Sequence, residues 1–292
     1  MGRSRQTAPH HRHHLISCRV TRLRPGTPAV EYDEALPQTR NGIHMRRLIA
    51  ATLLATLFTA LPAAAITDGR VDGNRHPNVG GLVSPTQYSD GTWLYCSGTL
   101  ISPTVFLTAA HCGEDGERVA ISFDTAYEDG DKVYRGTFQA DPLYNQRQNN
   151  PHDIAVVVLT QPIEGIAPAA LPEAGSLSDL PKDQKFTSVG YGAYEVTRGP
   201  GGHQFLYNDV RMVAVGTLNA INKSWLRISM NPATGNGGTC YGDSGGPNFL
   251  GHTDILAATT ITGDAICRAT NVDYRVDTAS ARTFLADYVT LP

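Results

Sequence analysis

From residue 66 onward the chain alternates between short apolar runs and clusters of glycine, proline, asparagine and aspartate. Runs of this length that are rich in Val, Ile, Thr and aromatic residues predict β-strands, and the 3.6-residue spacing of an amphipathic helix is rare here. The predicted strands span 92–101, 105–108, 119–123, 132–139, 154–159, 186–191, 210–217, 225–229, 246–250, 255–262 and 273–276.

Two segments depart from this pattern. Residues 280–289 place Phe284, Leu285, Tyr288 and Val289 at helical spacing and predict a C-terminal helix over about 280–290. Residues 168–181, rich in Pro, Ala, Gly and Ser, predict a linker between two halves of five or six strands each. The class is therefore all-β, with antiparallel barrels or sandwiches over about 66–170 and about 180–279.

The first 44 residues contain seven arginines and half of the ten histidines, without an apolar period that could contribute to a core. We interpret them as an unstructured upstream extension, which is not translated if Met45 is the true start. Four histidines lie close together in this extension, and metal binding is the alternative interpretation of that cluster: His10, His11, His13 and His14.

Residues 45–65 have the pattern of a secretory signal peptide. A basic start at 45–47 is followed by an apolar run to Leu61 and then by Pro62 and three alanines. A membrane anchor is the alternative, but an 18-residue segment that contains a proline is marginal for a spanning helix of about 20 residues. The pattern favours secretion, with no stable membrane anchor.

Removal of residues 1–65 changes the charge of the remaining chain. The full chain has a formal charge of −3, whereas residues 66–292 carry 15 basic and 24 acidic side chains, a net charge of −9. An acidic protein lacks the excess of Lys and Arg that binds phosphates, so nucleic acid is not an expected partner. We find no phosphate loop, metal-ligand cluster or cofactor motif in residues 66–292, and we expect no cofactor and no metal.

Four cysteines remain in this part of the chain: Cys96, Cys112, Cys240 and Cys267. An even count in an exported protein predicts disulfides, and four cysteines allow three connectivities that their spacing does not distinguish. Zinc binding is the competing interpretation, but the chain has no C-x-x-C pair.

Three short motifs contain the chemistry of a hydroxyl nucleophile. Residues 242–247 read Gly-Asp-Ser-Gly-Gly-Pro, so Ser244 is flanked by glycines that expose its hydroxyl and allow a substrate to approach main-chain N–H groups. His111 follows an apolar strand in Thr-Ala-Ala-His-Cys, and Asp153 precedes one in Asp-Ile-Ala. Each motif alone is compatible with a structural role, but together they supply a nucleophile, a base and an acid that orients the base.

With these motifs the chain resembles the chymotrypsin-fold serine proteases. The motifs occur in that family's order, 42 residues from His111 to Asp153 and 91 residues from Asp153 to Ser244. The same glycine pattern also fits the nucleophile elbow of α/β-hydrolases. That fold requires an acid and then a histidine after the serine, whereas His252, the one histidine after Ser244, precedes every acid in the remaining chain.

The resemblance implies two six-stranded antiparallel Greek-key β-barrels with the active site between them and a C-terminal α-helix. It assigns Ser244 as nucleophile, His111 as general base, Asp153 as its orienting acid, and the N–H groups of Gly242 and Ser244 as the oxyanion hole. It also implies the disulfides Cys96–Cys112 and Cys240–Cys267. The expected protein is a secreted, monomeric serine endopeptidase that acts on protein or peptide substrates, with protein protease inhibitors as a further candidate partner.

The resemblance also implies an activation step. Relatives become active when a new N-terminal ammonium pairs with the aspartate before the nucleophile, here Asp243. Ile66-Thr-Asp-Gly lies at the corresponding place, directly after Ala65, so cleavage by signal peptidase would itself create the Ile66 ammonium. The rival is cleavage after Arg70, which would expose Val71.

The substrate pocket is predicted at Gly238, Thr239 and Gly263. Trypsin-like relatives have an aspartate where Gly238 stands, so a standard preference for Arg or Lys is not expected. The family's Ser-Trp-Gly is Ile261-Thr262-Gly263 here, and three residues could still introduce polarity or charge: Asn271, Asp264 and Asp273. A neutral or apolar substrate side chain is the prediction.

Two alternative functions and one possible modification stay open at this point. The chain could be a catalytically inactive relative that acts as a binding module, or an esterase on the same fold. Asn222-Lys223-Ser224 has the form of a glycosylation sequon, but the sequence does not say whether it is used.

Overall fold

The computed structural model of the protein describes residues 66–292, where regular structure is almost entirely antiparallel β-strand. One α-helix, α1 (Ala279–Leu285), comes last in this region, and two 3-10 helices span Ala110–Cys112 and Pro232–Thr234. The strands are β1 (Arg70–Val71), β2 (Val79–Val83), β3 (Leu94–Ser102), β4 (Val105–Thr108), β5 (Arg118–Ser122), β6 (Tyr134–Ala140), β7 (Ala155–Leu159), β8 (Lys185–Gly190), β9 (Glu195–Gly199), β10 (Gly202–Leu206), β11 (Met212–Ile221), β12 (Trp225–Ser229), β13 (Pro247–Leu250), β14 (Leu256–Gly263) and β15 (Thr270–Arg275).

Two rings of six antiparallel strands form the architecture. The first closes in the order β2-β3-β4-β7-β6-β5, and the second in the order β8-β11-β12-β15-β14-β13. β1 pairs with β11, so the start of the described chain lies on the second barrel although it precedes the first in sequence. The predicted pair of six-stranded Greek-key barrels with a C-terminal helix is confirmed.

The interior of the first barrel is apolar and closely packed. Phe106, Ile121, Phe138 and Val157 are fully buried there, and each such side chain stabilises the fold by roughly 1.5–3 kcal/mol. Gly98 on β3 makes room for this packing, because a Cβ at that position would lie 2.4 Å from the ring of Phe106. Because these strands are buried, their apolar residues form a pattern that predicts strands from the sequence.

The junction of the two barrels contains a buried arginine. Arg211 is fully buried and its guanidinium donates to Asp72 Oδ2 at 3.2 Å and to the carbonyls of Val79 and Phe123 at 3.0 Å. Burial alone would raise the pKa of Asp72, but hydrogen bonds and charge from His76 and the charge of Arg211 outweigh it and hold that pKa below its ordinary value. The ion pair therefore ties the first residues of the described chain to both barrels.

All eleven predicted strands overlap an observed strand, and 105–108 and 225–229 agree in full. Four observed strands were not predicted: β1, β2, β9 and β10. β2 contains two consecutive glycines, and β9 and β10 form a mostly exposed hairpin. None of these three strands has the alternation of apolar and polar residues that predicts a strand from sequence.

The C-terminal helix is shorter than predicted. It begins at Ala279 after Thr278, whose hydroxyl accepts the N–H of Ala281 at 3.2 Å, and it ends at Leu285. Tyr288 and Val289 follow in turns and still pack on the core. Residues 168–181 connect β7 to β8 without a strand of their own, apart from one isolated bridge at Ala170.

The predicted upstream extension, its histidine cluster and the signal peptide lie in residues 1–65, outside the described residues. Within residues 66–292, no helix has the length and apolar character needed to cross a membrane.

Candidate active site

His111 follows strand β4 of the first barrel after two residues. β4 is fully buried, and the chain then turns into the 3-10 helix Ala110–Cys112. Cys112 forms a disulfide with Cys96 on β3, with a Cα–Cα distance of 6.2 Å, which ties the helix to the neighbouring strand. The imidazole of His111 is thereby presented at the edge of the barrel with 23% of its side chain exposed.

Asp153 lies beside this imidazole, just before β7. Its Oδ2 atom is 2.8 Å from His111 Nδ1, and its Oδ1 atom accepts the backbone N–H of His111 at 3.0 Å. Asp153 is only 3% exposed. A carboxylate accepts only, so this contact places the proton of a neutral imidazole on Nδ1 and leaves Nε2 free to act as a base.

Ser244 is presented by the loop that leads into β13 of the second barrel. Its carbonyl accepts the N–H of Ser97 at 2.8 Å, and the N–H of Gly245 donates to the carbonyl of Thr260 at 2.8 Å. The loop is therefore held by both barrels, and Ser244 and His111 line one cavity of about 220 Å³. Within residues 66–292 the described hydrogen bond of the His111 ring is to Asp153 and not to the Ser244 hydroxyl. Hydrogen bonds between a catalytic base and its nucleophile often tighten only in the complex with substrate.

Two backbone N–H groups of this loop are available to a ligand. Neither Gly242 nor Ser244 donates its N–H to another group of the described chain. Gly242 has φ +95°, a conformation that favours glycine, and its carbonyl accepts the hydroxyl of Ser97 at 3.1 Å. Unpaired N–H donors beside a nucleophile can bind the negative oxygen of a tetrahedral intermediate.

Gly245 is required where the loop passes closest to the first barrel. It has φ +81°, and a Cβ would lie 2.1 Å from Thr108 Oγ1 and 2.4 Å from the Ser97 carbonyl oxygen. We expect Gly245→Ala to lower the free energy of unfolding by about 2–5 kcal/mol, because strained backbone and overpacking add. Urea unfolding measures this loss.

Gly251→Ala is the matched control for this substitution. Gly251 is also left-handed, with φ +62°, but an added Cβ would meet only the end of Gln184 at 3.8 Å. Its expected loss is about 1 kcal/mol, from backbone strain alone. Equal losses in the two variants would contradict the close packing inferred for Gly245.

Asp243 is buried directly before Ser244 in the chain. Its Oδ1 atom accepts the N–H of Gly192 and its Oδ2 atom accepts the N–H of Cys240, both at 2.8 Å. Burial raises the pKa of Asp243 to about 7, although the two backbone donors act to lower it. The carboxyl is fully buried, so an ammonium placed against it would remove a large part of the cost of ionisation.

Ile66 lies in the second barrel, next to the segment that leads into the serine loop. Its side chain is fully buried against Met212 and Ala214. The hydroxyl of Thr67 donates to the Cys267 carbonyl at 2.7 Å, and the N–H of Gly238 donates to the Thr67 carbonyl at 3.1 Å. The first described residues therefore pack against the wall of the cavity that His111 and Ser244 line.

The second disulfide lies in that wall. Cys240 and Cys267 are joined with a Cα–Cα distance of 5.1 Å, and both residues line the cavity shared by His111 and Ser244. The structure thus pairs the four cysteines of residues 66–292 as the resemblance implied.

The cavity contains two of the three predicted pocket residues. Thr239 and Gly263 line it, whereas Gly238 does not and instead faces Met230, where a Cβ would lie 2.3 Å from the Met230 sulfur. Sequence reasoning named Asp264 only as a further candidate and did not identify Thr260. Both line the cavity, and no local motif signals the position of Thr260.

The other candidate polar residues lie behind this wall. Asp273 and Asn271 are fully buried, and Asp273 Oδ1 accepts from Asn248 Nδ2 at 2.7 Å and from the Thr260 hydroxyl at 3.3 Å. Burial raises the pKa of Asp273 well above its ordinary value. Asp273 therefore lies behind the cavity wall, and Asp264 is the acidic residue that lines the cavity itself.

A second groove, which Gly242 helps to line, adjoins the loop that carries Ser244. Its volume is about 380 Å³, and Tyr241 lines both this groove and the cavity described above. Four tyrosines and one aspartate contribute to its walls: Tyr88, Tyr95, Tyr207, Tyr241 and Asp90. An extended ligand could therefore contact both the cavity and this groove, which share Tyr241.

Comparison with known proteins identifies the family of this chain. The trypsin family model matches residues 74–284, so the chain belongs to the trypsin family. Chymotrypsin-C of Rattus norvegicus is 31% identical over 186 residues, covering 56% of this chain and 65% of that protein. A trypsin of Phaedon cochleariae is 31% identical over 178 residues, covering 53% of this chain and 64% of that protein.

These alignments span slightly less than two thirds of the relatives' own length. Among solved structures, one described as HL collagenase superposes with a TM-score of 0.59 at 19% identity, covering 76% of this chain and 98% of that chain. That likeness supports the fold alone.

Proposed function

We propose that this protein is a secreted serine endopeptidase in which Ser244, His111 and Asp153 form the catalytic triad. The observation that carries the proposal is the two-point contact of Asp153 with His111, made beside a cavity that His111 shares with Ser244. Secretion rests on the signal-peptide pattern of residues 45–65, which lie outside the described residues.

The geometry supports acyl transfer in two stages. His111 Nε2 takes the hydroxyl proton of Ser244 as the oxygen attacks the scissile carbonyl carbon, and the N–H groups of Gly242 and Ser244 bind the resulting oxyanion. His111 then donates that proton to the leaving amine as the C–N bond breaks. A water molecule then loses a proton to His111 Nε2 as its oxygen attacks the acyl carbon. The bond from that carbon to Ser244 Oγ breaks, His111 returns the proton to the serine oxygen, and the carboxylic acid product is released.

The cavity at Ser244 and the adjoining tyrosine-lined groove, which share Tyr241, favour a polypeptide substrate over a small ester. The cavity at Thr239 and Gly263 takes the side chain on the acyl side of the bond, as the family resemblance implies, and the tyrosine-lined groove takes the leaving-group side. We propose a neutral or apolar side chain on the acyl side, because Gly238 contributes no charge and Asp273 is buried behind the wall. The Asp264 carboxylate, which lines the cavity, accepts the backbone N–H groups of Arg268, Ala269 and Thr270.

The proposed activating step is formation of an ion pair between a free Ile66 ammonium and Asp243. In support, Ile66 is buried in the second barrel, and Asp243 is a fully buried carboxyl whose described hydrogen bonds come from backbone N–H groups alone. Cleavage after Ala65 would create the ammonium without a separate activating protease.

The pKa of Asp243 gives a pH-dependent prediction for the uncleaved chain. Its value of about 7 in the folded chain exceeds the ordinary 3.8 of an aspartate, so the folded state binds this proton more tightly. The raised pKa therefore contributes to the free energy of unfolding, and this contribution is fully present below about pH 4. It is lost as the pH rises through about 7, and its size is about 1.4 kcal/mol for each unit by which the folded pKa exceeds the ordinary one. Urea unfolding between pH 4 and 8 measures the decline, which Asp243→Asn should remove and cleavage before Ile66 should reduce.

An uncleaved chain with the same pH slope as its Asp243→Asn variant would contradict the raised pKa. A slope unchanged by cleavage would contradict the ion pair.

Casein hydrolysis tests the endopeptidase against its alternatives. We expect the processed protein to release peptides from casein and to lose this activity in His111→Ala. Hydrolysis of a small ester without peptide release would favour the esterase, and neither activity would favour an inactive relative that acts as a binding module.

A further inference from the structure

The carboxylate of Asp153 has few contacts of its own. Within residues 66–292 it accepts hydrogen bonds from His111 alone, through Nδ1 and the backbone N–H. Because both donors belong to the residue that Asp153 must orient, the direction of the carboxylate has to be set by the backbone that carries it.

That backbone forms a left-handed turn. His152 has φ +51°, a conformation that few residues other than glycine adopt, although histidine, asparagine and aspartate adopt it more readily than most. The N–H of Ile154 donates to the His152 carbonyl at 2.9 Å, which closes a three-residue turn with Asp153 at its centre.

Asp141 contacts this turn on both sides of Asp153. Its Oδ2 atom is 2.9 Å from His152 Nδ1, and its backbone N–H donates to the Ile154 carbonyl at 3.0 Å. The other oxygen of the carboxylate accepts the N–H of Leu143 at 2.9 Å, and the side chain is only 5% exposed. Asp141 thus holds the residue before Asp153 and the residue after it.

The ring of His152 is held from the other barrel as well. Its Nε2 atom is 3.1 Å from Asn150 Nδ2, and Asn150 Oδ1 accepts the hydroxyl of Tyr274 on β15 at 3.0 Å. Since the amide nitrogen can only donate, Nε2 accepts, and the ring proton lies on Nδ1, facing Asp141. Ser280 of α1 also lies 3.2 Å from Nδ1.

This cluster of Asp141, His152 and Ser280 is not a second catalytic triad. The carboxylate and the hydroxyl both face Nδ1, and Nε2 is occupied by Asn150. A histidine bonded in this way cannot take the proton of Ser280 while Asp141 holds the opposite nitrogen, as a triad requires. The arrangement suits a role in positioning His152 and not a role in proton transfer.

We propose that the Asp141–His152 pair is a positioning device for the proposed catalytic acid. It fixes the turn that aims the Asp153 carboxylate at His111, and it connects that turn to β15 and α1 of the C-terminal half. Both residues act through Asp153 and neither contacts the reacting atoms. The inference rests on the proposed function, since it assigns these residues to the same triad.

The test is His152→Asn, because asparagine tolerates the left-handed backbone but cannot reproduce both ring contacts. With a chromogenic peptide substrate we expect kcat to fall by about 10- to 100-fold while KM changes by less than about 3-fold, as for loss of an interaction that matters in the transition state. In an Asp153→Asn background the same substitution should lower kcat by less than about 2-fold, because the group it positions is already gone.

His76→Asn is the matched control. His76 Nδ1 lies 2.6 Å from Asp72 Oδ1, and the side chain of His76 is 18% exposed, compared with 14% for His152. The control therefore removes a comparable histidine–aspartate contact at a place that is not part of the triad. Arg211 still holds Asp72 in that variant. We expect a similar loss of unfolding free energy from both histidine variants, with kcat unchanged in His76→Asn.

Three results would overturn the proposal. His152→Asn could leave kcat at the wild-type value, it could lower kcat equally with and without Asp153, or His76→Asn could lower kcat as much. A wild-type chain that hydrolyses neither peptide nor ester would overturn the proposed function, and this proposal with it. Activity in the wild type with no effect of His152→Asn would overturn the positioning role alone.

Discussion

Replacement of Ser244 by alanine is expected to lower kcat for peptide hydrolysis by about 10⁶-fold. In serine proteases, removal of the nucleophile alone costs roughly as much as removal of the whole triad, because the three residues act as a unit. The residual rate should come from the oxyanion hole and substrate binding, which are left in place. Steady-state kinetics on a chromogenic peptide measures the change.

Ser176→Ala is the control for this substitution, since Ser176 is an exposed serine in the segment between the barrels. Its kcat should equal that of the wild type. Thermal unfolding of Ser244→Ala should show no loss of stability, because Ser244 is only half-buried and none of the hydrogen bonds of the described residues involves its hydroxyl. A Ser244→Ala protein with more than about one hundredth of the wild-type activity would contradict the assignment of the nucleophile.

The second large effect is expected from the N-terminus. A chain that retains a short extension before Ile66 should have kcat/KM lower by about 10²- to 10⁴-fold than the same chain after the extension is removed. This range corresponds to the roughly 3–5 kcal/mol that loss of one partner of a buried ion pair costs. Asp243 is the buried partner that would be left without its cation.

The measurement is a chromogenic assay before and after removal of the extension, with N-terminal sequencing of the product. Processed Asp243→Asn should be as inactive as the extended chain, because it lacks the other half of the pair. Full activity in the extended chain would contradict activation at Ile66, and an active product that starts at Val71 would favour cleavage after Arg70.

The fold could be predicted where burial imposes a pattern. β4 and β7 are continuous apolar strands inside the first barrel, and their sequences indicate strands without further information. β2 contains paired glycines, and the β9–β10 hairpin is largely exposed, so these strands are determined by their partners in the sheet. β1 belongs to the second barrel through pairing with β11 across more than 100 residues, which local sequence does not encode.

The candidate site divides in the same way. The motifs around His111, Asp153 and Ser244 were visible because the chemistry requires those residue types in short, recognisable contexts. The surroundings of the site depend on side chains that meet only in three dimensions. Met230 facing Gly238, and Asp141 contacting both sides of Asp153, are contacts of this kind.

Labelling with a fluorophosphonate tests the central claim most directly, because this reagent reacts with an activated serine hydroxyl and needs no substrate side chain. The processed protein should gain one phosphonyl group on Ser244, located by peptide mass spectrometry, and His111→Ala should lose the labelling while remaining folded. Absence of labelling in the processed, folded protein, labelling of a different serine, or undiminished labelling in His111→Ala would contradict the triad proposed for this chain.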